Sequence, residues 1–110
     1  MEIKTFYGNA ILTENDLKET EITNKIELDY FKVEMPNETQ KEDAPKLYGI
    51  EIVKKEYLDD QNFVQEKKCI NSISQSESYV TELLDKVKNF KVTPVALQYV
   101  VEDFETSIKV

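Results

Sequence analysis

KIELDYFKVEM, residues 25–35, is the most strand-like stretch of the chain. In its first half Ile26, Leu28 and Tyr30 alternate with acidic residues, at the two-residue period of a half-buried β-strand. The apolar positions then change parity and continue as Phe31, Val33 and Met35. This change indicates either a β-bulge near Tyr30 or a strand that is covered on both faces.

Two further strands are predicted downstream, over residues 46–57 and 63–70, with a turn at residues 58–62 between them. Gly49 lies inside the first of these, where a missing side chain often marks a bulge or the close approach of another backbone. The polar segment 36–45, with a proline at each end, is typical of a solvated loop. Four lysines are expected at exposed positions of these strands, where they discourage edge-to-edge pairing: Lys54, Lys55, Lys67 and Lys68.

Two amphipathic helices follow. Ser74 and Glu77 have the spacing of a capping box, in which each side chain accepts from the main-chain amide of the other residue. Thr93 is predicted as the N-cap of the second helix, with Pro94 at its first position. The fold class is therefore α+β: a three- or four-stranded antiparallel meander packed on one face by two C-terminal helices, near residues 74–89 and 94–106.

The length of 110 residues suits a single domain spanning 1–110, because a chain of this size forms one core. We expect residues 25–106 to hold that core. The N-terminal segment, 1–24, has a weaker pattern, in which residues 3–7 and 10–12 are predicted to pair as a hairpin across Gly8 and Asn9.

The net charge is −8, no arginine occurs, and most of the excess negative charge lies in residues 1–45. Nucleic acids and anionic membranes attract positive fields, so the sequence predicts neither as a partner. Cys69 is the only cysteine, which rules out an intramolecular disulfide. No signal peptide or membrane-spanning run is visible, and a cytoplasmic location is therefore expected.

Catalytic chemistry has little to build on, since the chain contains no histidine and only two isolated glycines. The densest carboxylates are Glu102, Asp103 and Glu105, of which the first and last share a helix face and could hold a hard cation. Asp59 and its neighbours offer further oxygens without the spacing of a calcium loop. We expect no enzyme activity, no metal and no cofactor.

Two parts of the sequence carry a family resemblance. The first is residues 47–52 (LYGIEI), and the second combines Val92-Thr93-Pro94-Val95 with Val100-Val101-Glu102-Asp103-Phe104. Together these motifs resemble a family of small uncharacterised proteins from clostridia and related Firmicutes, a domain of unknown function. The similarity covers roughly residues 25–105. It implies a bacterial, cytoplasmic protein and no known activity.

The function favoured by these features is a small protein-interaction or regulatory module. If Phe31, Val33 and Met35 face away from the helices, they need a cover, which a protein partner, a second copy of the chain or the N-terminal segment could supply. The acidic residues Glu102, Asp103 and Glu105 are assigned to the same possible interaction surface. The alternatives are an acidic decoy that inhibits a basic partner and, more remotely, a carboxylate-based enzyme or cation-binding protein.

Overall fold

A computed structural model of the chain describes residues 2–13, 16–18, 24–35, 46–59 and 61–108. Residues 106–108 are described by their backbone alone. Four strands come first: β1 (Ile3–Leu12), β2 (Lys25–Met35), β3 (Leu47–Tyr57) and β4 (Phe63–Ser74). They are followed by helix α1 (Glu77–Asn89), a short 3-10 helix (Pro94–Ala96) and helix α2 (Leu97–Ile108). This α+β arrangement confirms the predicted fold class. The predicted loop 36–45 lies outside the described residues.

The strands form one sheet in the order β1-β2-β3-β4, and each strand is antiparallel to its neighbour. The register of β2 against β3 is unbroken from Lys25 opposite Tyr57 to Met35 opposite Leu47. The irregularity lies instead in β1, where Tyr7 is the extra residue between the pairs Phe6 with Phe31 and Gly8 with Tyr30. The change of parity in β2 therefore reflects apolar residues on both faces of the sheet.

The register defines two faces. The helix face carries Ile26, Leu28 and Tyr30 of β2, which are buried with Ile50 and Ile52 of β3 beneath the helices. The opposite side, which we call the outer face, carries the odd-numbered residues of β2 and β3 and their register partners. Phe31, Val33 and Met35 lie on this outer face.

The predicted hairpin across Gly8 and Asn9 is wrong, because β1 is one continuous strand that pairs with β2 along its length. The two residues resemble a turn, but both pair with β2, directly after the bulge at Tyr7. A Cβ atom on Gly8 would lie 2.8 Å from Cδ of Lys88, so the missing side chain makes room for a lysine of α1. Asn9 donates to Asp29, its cross-strand partner, through a 2.8 Å bond from Nδ2 to Oδ1.

Strand β4 ends at Ser74, four residues past its predicted end at residue 70.

Gly49 lies at an irregularity of the sheet. The register of β3 against β4 shifts between Tyr48 and Ile50, so the predicted irregularity at Gly49 is confirmed. A Cβ atom on Gly49 would lie 2.0 Å from the carbonyl oxygen of Ile70 and 2.7 Å from Cα of Asn71. Only glycine allows the two backbones to approach this closely.

The start of α1 differs from the prediction. Ser74 still belongs to β4, opposite Tyr48, and the N-cap is Ser76, whose hydroxyl accepts from the Tyr79 amide at 3.2 Å. The predicted capping box between Ser74 and Glu77 is therefore wrong. The Glu77 carboxylate accepts instead from Nζ of Lys32 at 2.6 Å, and this bond lowers the pKa of Glu77.

Helix α1 ends in a Schellman motif. The Val92 amide donates to the Val87 carbonyl at 2.8 Å, and the Lys91 amide donates to the Lys88 carbonyl at 3.1 Å. Lys91 occupies the left-handed position of the motif, with a φ of 53°, where glycine is the usual residue. Val87 and Val92 both enter the core, which is the apolar contact that accompanies this motif.

The second helical segment begins where the sequence predicts, with Thr93 extended and Pro94 as the first residue of the 3-10 helix. The Ala96 amide donates to the Thr93 carbonyl at 3.1 Å, but the Thr93 hydroxyl makes no capping bond. Leu97, Val101 and Phe104 of α2 then complete a core shared with Val80, Leu83 and Leu84 of α1.

Candidate functional site

The sequence-predicted surface residues fall into two groups on opposite sides of the sheet. Phe31, Val33 and Met35 lie on the outer face, whereas Glu102, Asp103 and Glu105 lie on α2, which packs on the helix face. The structure therefore divides the single predicted interaction surface into two separate surfaces.

The acidic group on α2 is a surface feature of that helix. Glu102 and Asp103 are exposed, and Oε1 of Glu102 accepts from Nε2 of Gln98, one turn earlier, at 3.0 Å. Glu105 is half-buried beside Tyr79, and it contributes to the raised pKa of that phenol after the larger effect of burial. Within the described residues, no three His, Cys, Asp or Glu side chains are arranged to hold a metal ion.

The carboxylate of Asp59 accepts hydrogen bonds from residues of the same turn. Oδ1 accepts from the main-chain amides of Gln61 and Asn62, each at 2.8 Å, and both oxygens of the carboxylate are also within 3.2 Å of the Asn62 side-chain amide. These bonds lower the pKa of Asp59. The geometry is that of an Asx turn, which the residue types at positions 59–62 explain without a cation.

One end of the outer face is closed by polar side chains. Nζ of Lys4 lies 3.1 Å from Oε1 of Glu51, so this ion pair reaches from β1 across β2 to β3. Nδ2 of Asn71 donates to Glu2 at 3.1 Å and thereby joins the two edge strands. Glu51 is only 6% exposed.

Val33 lies at this closed end and is fully buried, although it faces away from the helices. Lys4 is its partner in the register on one side and Gly49 on the other. The ion pair raises the pKa of Lys4, because its bond to Glu51 favours the charged ammonium.

Cys69 is half-buried nearby, opposite Glu51, and burial raises the pKa of its thiol. A raised pKa disfavours the thiolate that a reactive cysteine needs.

The rest of the outer face is open and aromatic. Phe6 is 57% exposed and meets Phe31 edge to face, with ring centroids 5.7 Å apart. Phe63, at the start of β4, is 50% exposed and lies 5.8 Å from the ring of Tyr57. Lysine ammonium groups lie over both of these latter rings, Lys25 at 5.6 Å from Tyr57 and Lys55 at 5.7 Å from Phe63.

The charges of the outer face balance, in contrast to the net charge of −8 for the whole chain. The register assigns four lysines and three acids to this face: Lys4, Lys25, Lys55, Lys67, Glu27, Asp29 and Glu51. Glu2, just before β1, adds a fourth acid beside Lys4, with 3.8 Å between Oε2 and Nζ. The excess acidic residues therefore lie elsewhere.

A cavity of about 340 Å³ opens on the helix side, at the end of the sheet where β1 ends and β2 begins. Its apolar lining comes from Leu12, Leu17, Ile26 and Phe90, and its polar lining from Asp16, Lys54, Lys91 and Thr93.

The ion pair between Asp16 and Lys91 closes one wall of this cavity, with 2.6 Å between Oδ2 and Nζ. The bond from Lys91, followed by the bonds from the amide and hydroxyl of Thr13, lowers the pKa of Asp16 to about 2.

Lys54, which lines the cavity, is half-buried, as is Lys55 on the outer face, so the predicted exposure of these two lysines is wrong. Lys67 and Lys68 are exposed as predicted.

Sequence reasoning missed both Phe6 and Phe63 as parts of the open surface, and it missed the cavity. Phe63 had a usable signal, because it begins a predicted strand and its parity follows from the register. Phe6 lies before a bulge that reverses the alternation, and the cavity joins residues from four separate segments of the chain.

None of the helices in the part of the chain that the structure describes is long and apolar enough to cross a membrane. The model of a family of unknown function (DUF6514) matches residues 9–107. No curated protein and no solved structure matches the chain. The family match reaches further toward the N-terminus than the resemblance over residues 25–105 and includes β2, β3, β4 and α1.

Proposed function

The chain belongs to that family of unknown function, and we propose that it acts as a non-catalytic protein-interaction module that associates through the outer face of its sheet. The observation that carries this proposal is the exposure of Phe6 and Phe63 on a face to which no described helix contributes a covering layer. Exposed aromatic side chains surrounded by a polar rim are typical of protein interfaces.

The occupant we propose is a second copy of the same chain. A two-fold symmetric interface brings a surface against itself, so a patch of one sign repels its copy, whereas a balanced patch does not. The outer face carries both signs in equal number, so its net charge does not oppose contact with a second copy.

The size of the face fits the same occupant. Strands of about eleven residues are roughly 37 Å long, and four strands together are about 19 Å wide. The face thus offers about 700 Å², close to the roughly 800 Å² that each partner contributes to a standard interface. The closed polar end makes the contact partly hydrophilic, which favours a reversible dimer over a permanent one.

The acidic-decoy alternative has narrower support. The acid-rich residues 1–45, which hold most of the excess negative charge, would have to meet the basic partner. Exposed charge pairs are screened within about 8 Å at physiological ionic strength, so binding of that kind must weaken as salt is added.

The cellular setting that we propose is the cytoplasm of a clostridial or related bacterium. The complete preference for lysine over arginine, the single cysteine and the C-terminal Val-Val-Glu-Asp-Phe motif support it.

Sedimentation velocity over a range of protein concentrations tests the dimer. We expect wild-type protein to associate reversibly, and Phe6→Lys and Phe63→Lys to remain monomeric with unchanged circular dichroism. Phe90→Lys is the matched control, since Phe90 is 77% exposed but lies after α1 on the other side of the sheet.

A wild-type protein that stays monomeric up to millimolar concentration would contradict self-association. Equal loss of association in Phe90→Lys and Phe63→Lys would show that the outer face is not the contact surface. Self-association that survives both Phe6→Lys and Phe63→Lys would likewise show that the contact lies elsewhere on the chain.

A further inference from the structure

We propose that the cavity between Leu12, Leu17 and Phe90 binds a small amphipathic anion, a carboxylate with an apolar body, and that Lys54 binds its charged head. The site is separate from the outer face, so this inference does not depend on the proposed dimer.

The size of the cavity sets the size of the ligand. A volume of about 340 Å³ falls at the lower end of the range of small-molecule pockets, roughly 300 to 1,000 Å³. A water molecule takes about 30 Å³ of liquid, so the space corresponds to on the order of ten to twelve non-hydrogen atoms. A carboxylate with a chain of about eight to ten carbons has that size.

The lining sets the polarity of the ligand. Four apolar side chains, Leu12, Leu17, Ile26 and Phe90, provide the larger part of a surface on which an apolar body can be buried. A few convergent polar groups on an otherwise apolar wall are the usual composition of a ligand site.

The charges of the lining set the sign of the head group. The carboxylate of Asp16 is already paired with Nζ of Lys91 at 2.6 Å, which leaves Lys54 as the charged lining residue that is in no ion pair. Glu66 is opposite Lys54 in the register, and Glu56 lines a small neighbouring recess with it, yet neither forms an ion pair with Lys54. Asn24 Nδ2 donates to Glu56 at 3.0 Å instead.

Lys91 holds one wall of the cavity in place through its ion pair with Asp16. Its left-handed conformation, at a φ of 53°, costs roughly 1 to 2 kcal/mol for any residue with a Cβ atom. Glycine would satisfy the Schellman motif without that cost, but it could not reach Asp16. The lysine thus fixes the segment after α1 to the segment after β1, and both segments line the cavity.

The test uses the full chain and three probes of equal length: octanoate, 1-octanol and octylammonium. Methyl resonances of Leu12 and Leu17 report binding by nuclear magnetic resonance. We expect saturable shifts with octanoate, affinity roughly three- to tenfold weaker for octanol, and weaker still for octylammonium, because only the carboxylate gains a charge-assisted bond.

Two lysine variants complete the design. Lys54→Met keeps the length of the side chain and removes the charge, so it should lower octanoate affinity to the level of octanol and leave octanol binding unchanged. Lys67→Met, on the outer face, is the matched control and should bind octanoate as the wild type does.

Three results would overturn the proposal. The first is octanol binding as tightly as octanoate. The second is equal octanoate affinity in Lys54→Met and Lys67→Met. The third is a set of shifts that maps to Phe6 and Phe63 in place of the cavity, which would indicate adsorption on the outer face.

Discussion

The hydroxyl of Tyr30, at the centre of the sheet, donates a 2.9 Å hydrogen bond to the main-chain carbonyl of Val92, in the segment between the two helices. Tyr30 is fully buried, and burial raises the pKa of its phenol. This buried bond satisfies the Val92 carbonyl and joins the segment between the helices to the sheet.

Tyr30→Phe should therefore lower the free energy of unfolding by about 1 to 3 kcal/mol, because the Val92 carbonyl loses its buried donor. Urea denaturation followed by circular dichroism measures the change. Tyr99→Phe is the control, since Tyr99 is exposed and should change stability by less than about 0.5 kcal/mol. Equal stability of wild type and Tyr30→Phe would show that the bond contributes nothing.

Gly49→Ala should be far more damaging than Gly8→Ala. The new Cβ at position 49 would meet a backbone carbonyl at 2.0 Å, and the two strands must separate to admit it. We expect a loss of about 3 kcal/mol or more, within the range of severe backbone effects.

At position 8 the new Cβ meets only the end of the Lys88 side chain, which can move away. Gly8→Ala should therefore change stability by less than about 1 kcal/mol. Thermal melts of the two variants separate these cases, and similar melting temperatures would be inconsistent with the close approach at Gly49.

The two helix starts should respond differently to loss of a hydroxyl. Ser76→Ala removes the acceptor of the Tyr79 amide and should cost about 0.5 to 2 kcal/mol. Thr93→Val keeps the shape of the side chain and removes a hydroxyl that caps nothing, so it should be close to neutral. A larger cost for Thr93→Val than for Ser76→Ala in urea denaturation would contradict these cap assignments.

The stability of the protein should carry an acid-dependent contribution from Asp16. Its pKa is lowered from 3.8 to about 2, first by the bond from Lys91 and then by those from Thr13, so the ionised form is favoured in the folded state. The sign follows: the stabilisation is complete above pH 3.8 and is lost as the pH falls toward 2.

Lys91→Met should raise the pKa of Asp16 toward its ordinary value, as measured by titration of carboxyl resonances in the folded protein. Asp59 is the internal control, because its lowered pKa comes from Asn62 and Gln61. A variant in which both carboxyl groups titrate as in the wild type would show that the ion pair does not form in solution.

Elements whose apolar residues follow a single period were predictable from the sequence. Ile26, Leu28 and Tyr30 are buried at the two-residue spacing, and the stripe of α1, with Leu83 and Leu84 at its centre, is buried at the helical spacing. A period survives in the sequence because all residues of one face meet the same environment.

Local signals misled where a neighbouring strand decided the outcome. Gly8 and Asn9 form a typical turn pair, yet pairing with β2 keeps the strand extended and places a bulge at Tyr7. Ser74 has the right spacing from Glu77 for a capping box, but the irregular pairing beside Gly49 holds it in β4. Both outcomes depend on contacts that are remote in sequence.

The candidate surfaces were predictable in part. The parity of Phe31, Val33 and Met35 indicated an outer face, but it could not show that Val33 is fully buried there, beside the ion pair of Lys4 and Glu51. That ion pair spans 47 positions of sequence, and no local pattern encodes it.

The order of the elements along the chain has a consequence for biosynthesis. Each strand of the sheet pairs only with its sequence neighbours, so β1 to β4 can assemble as they leave the ribosome. The helices that cover Ile26, Leu28 and Tyr30 are made after the strands, and at about 5 to 20 residues per second they follow β3 by several seconds. Nascent chains that stop before α2 should therefore bind chaperones or aggregate, and the finished chain should not.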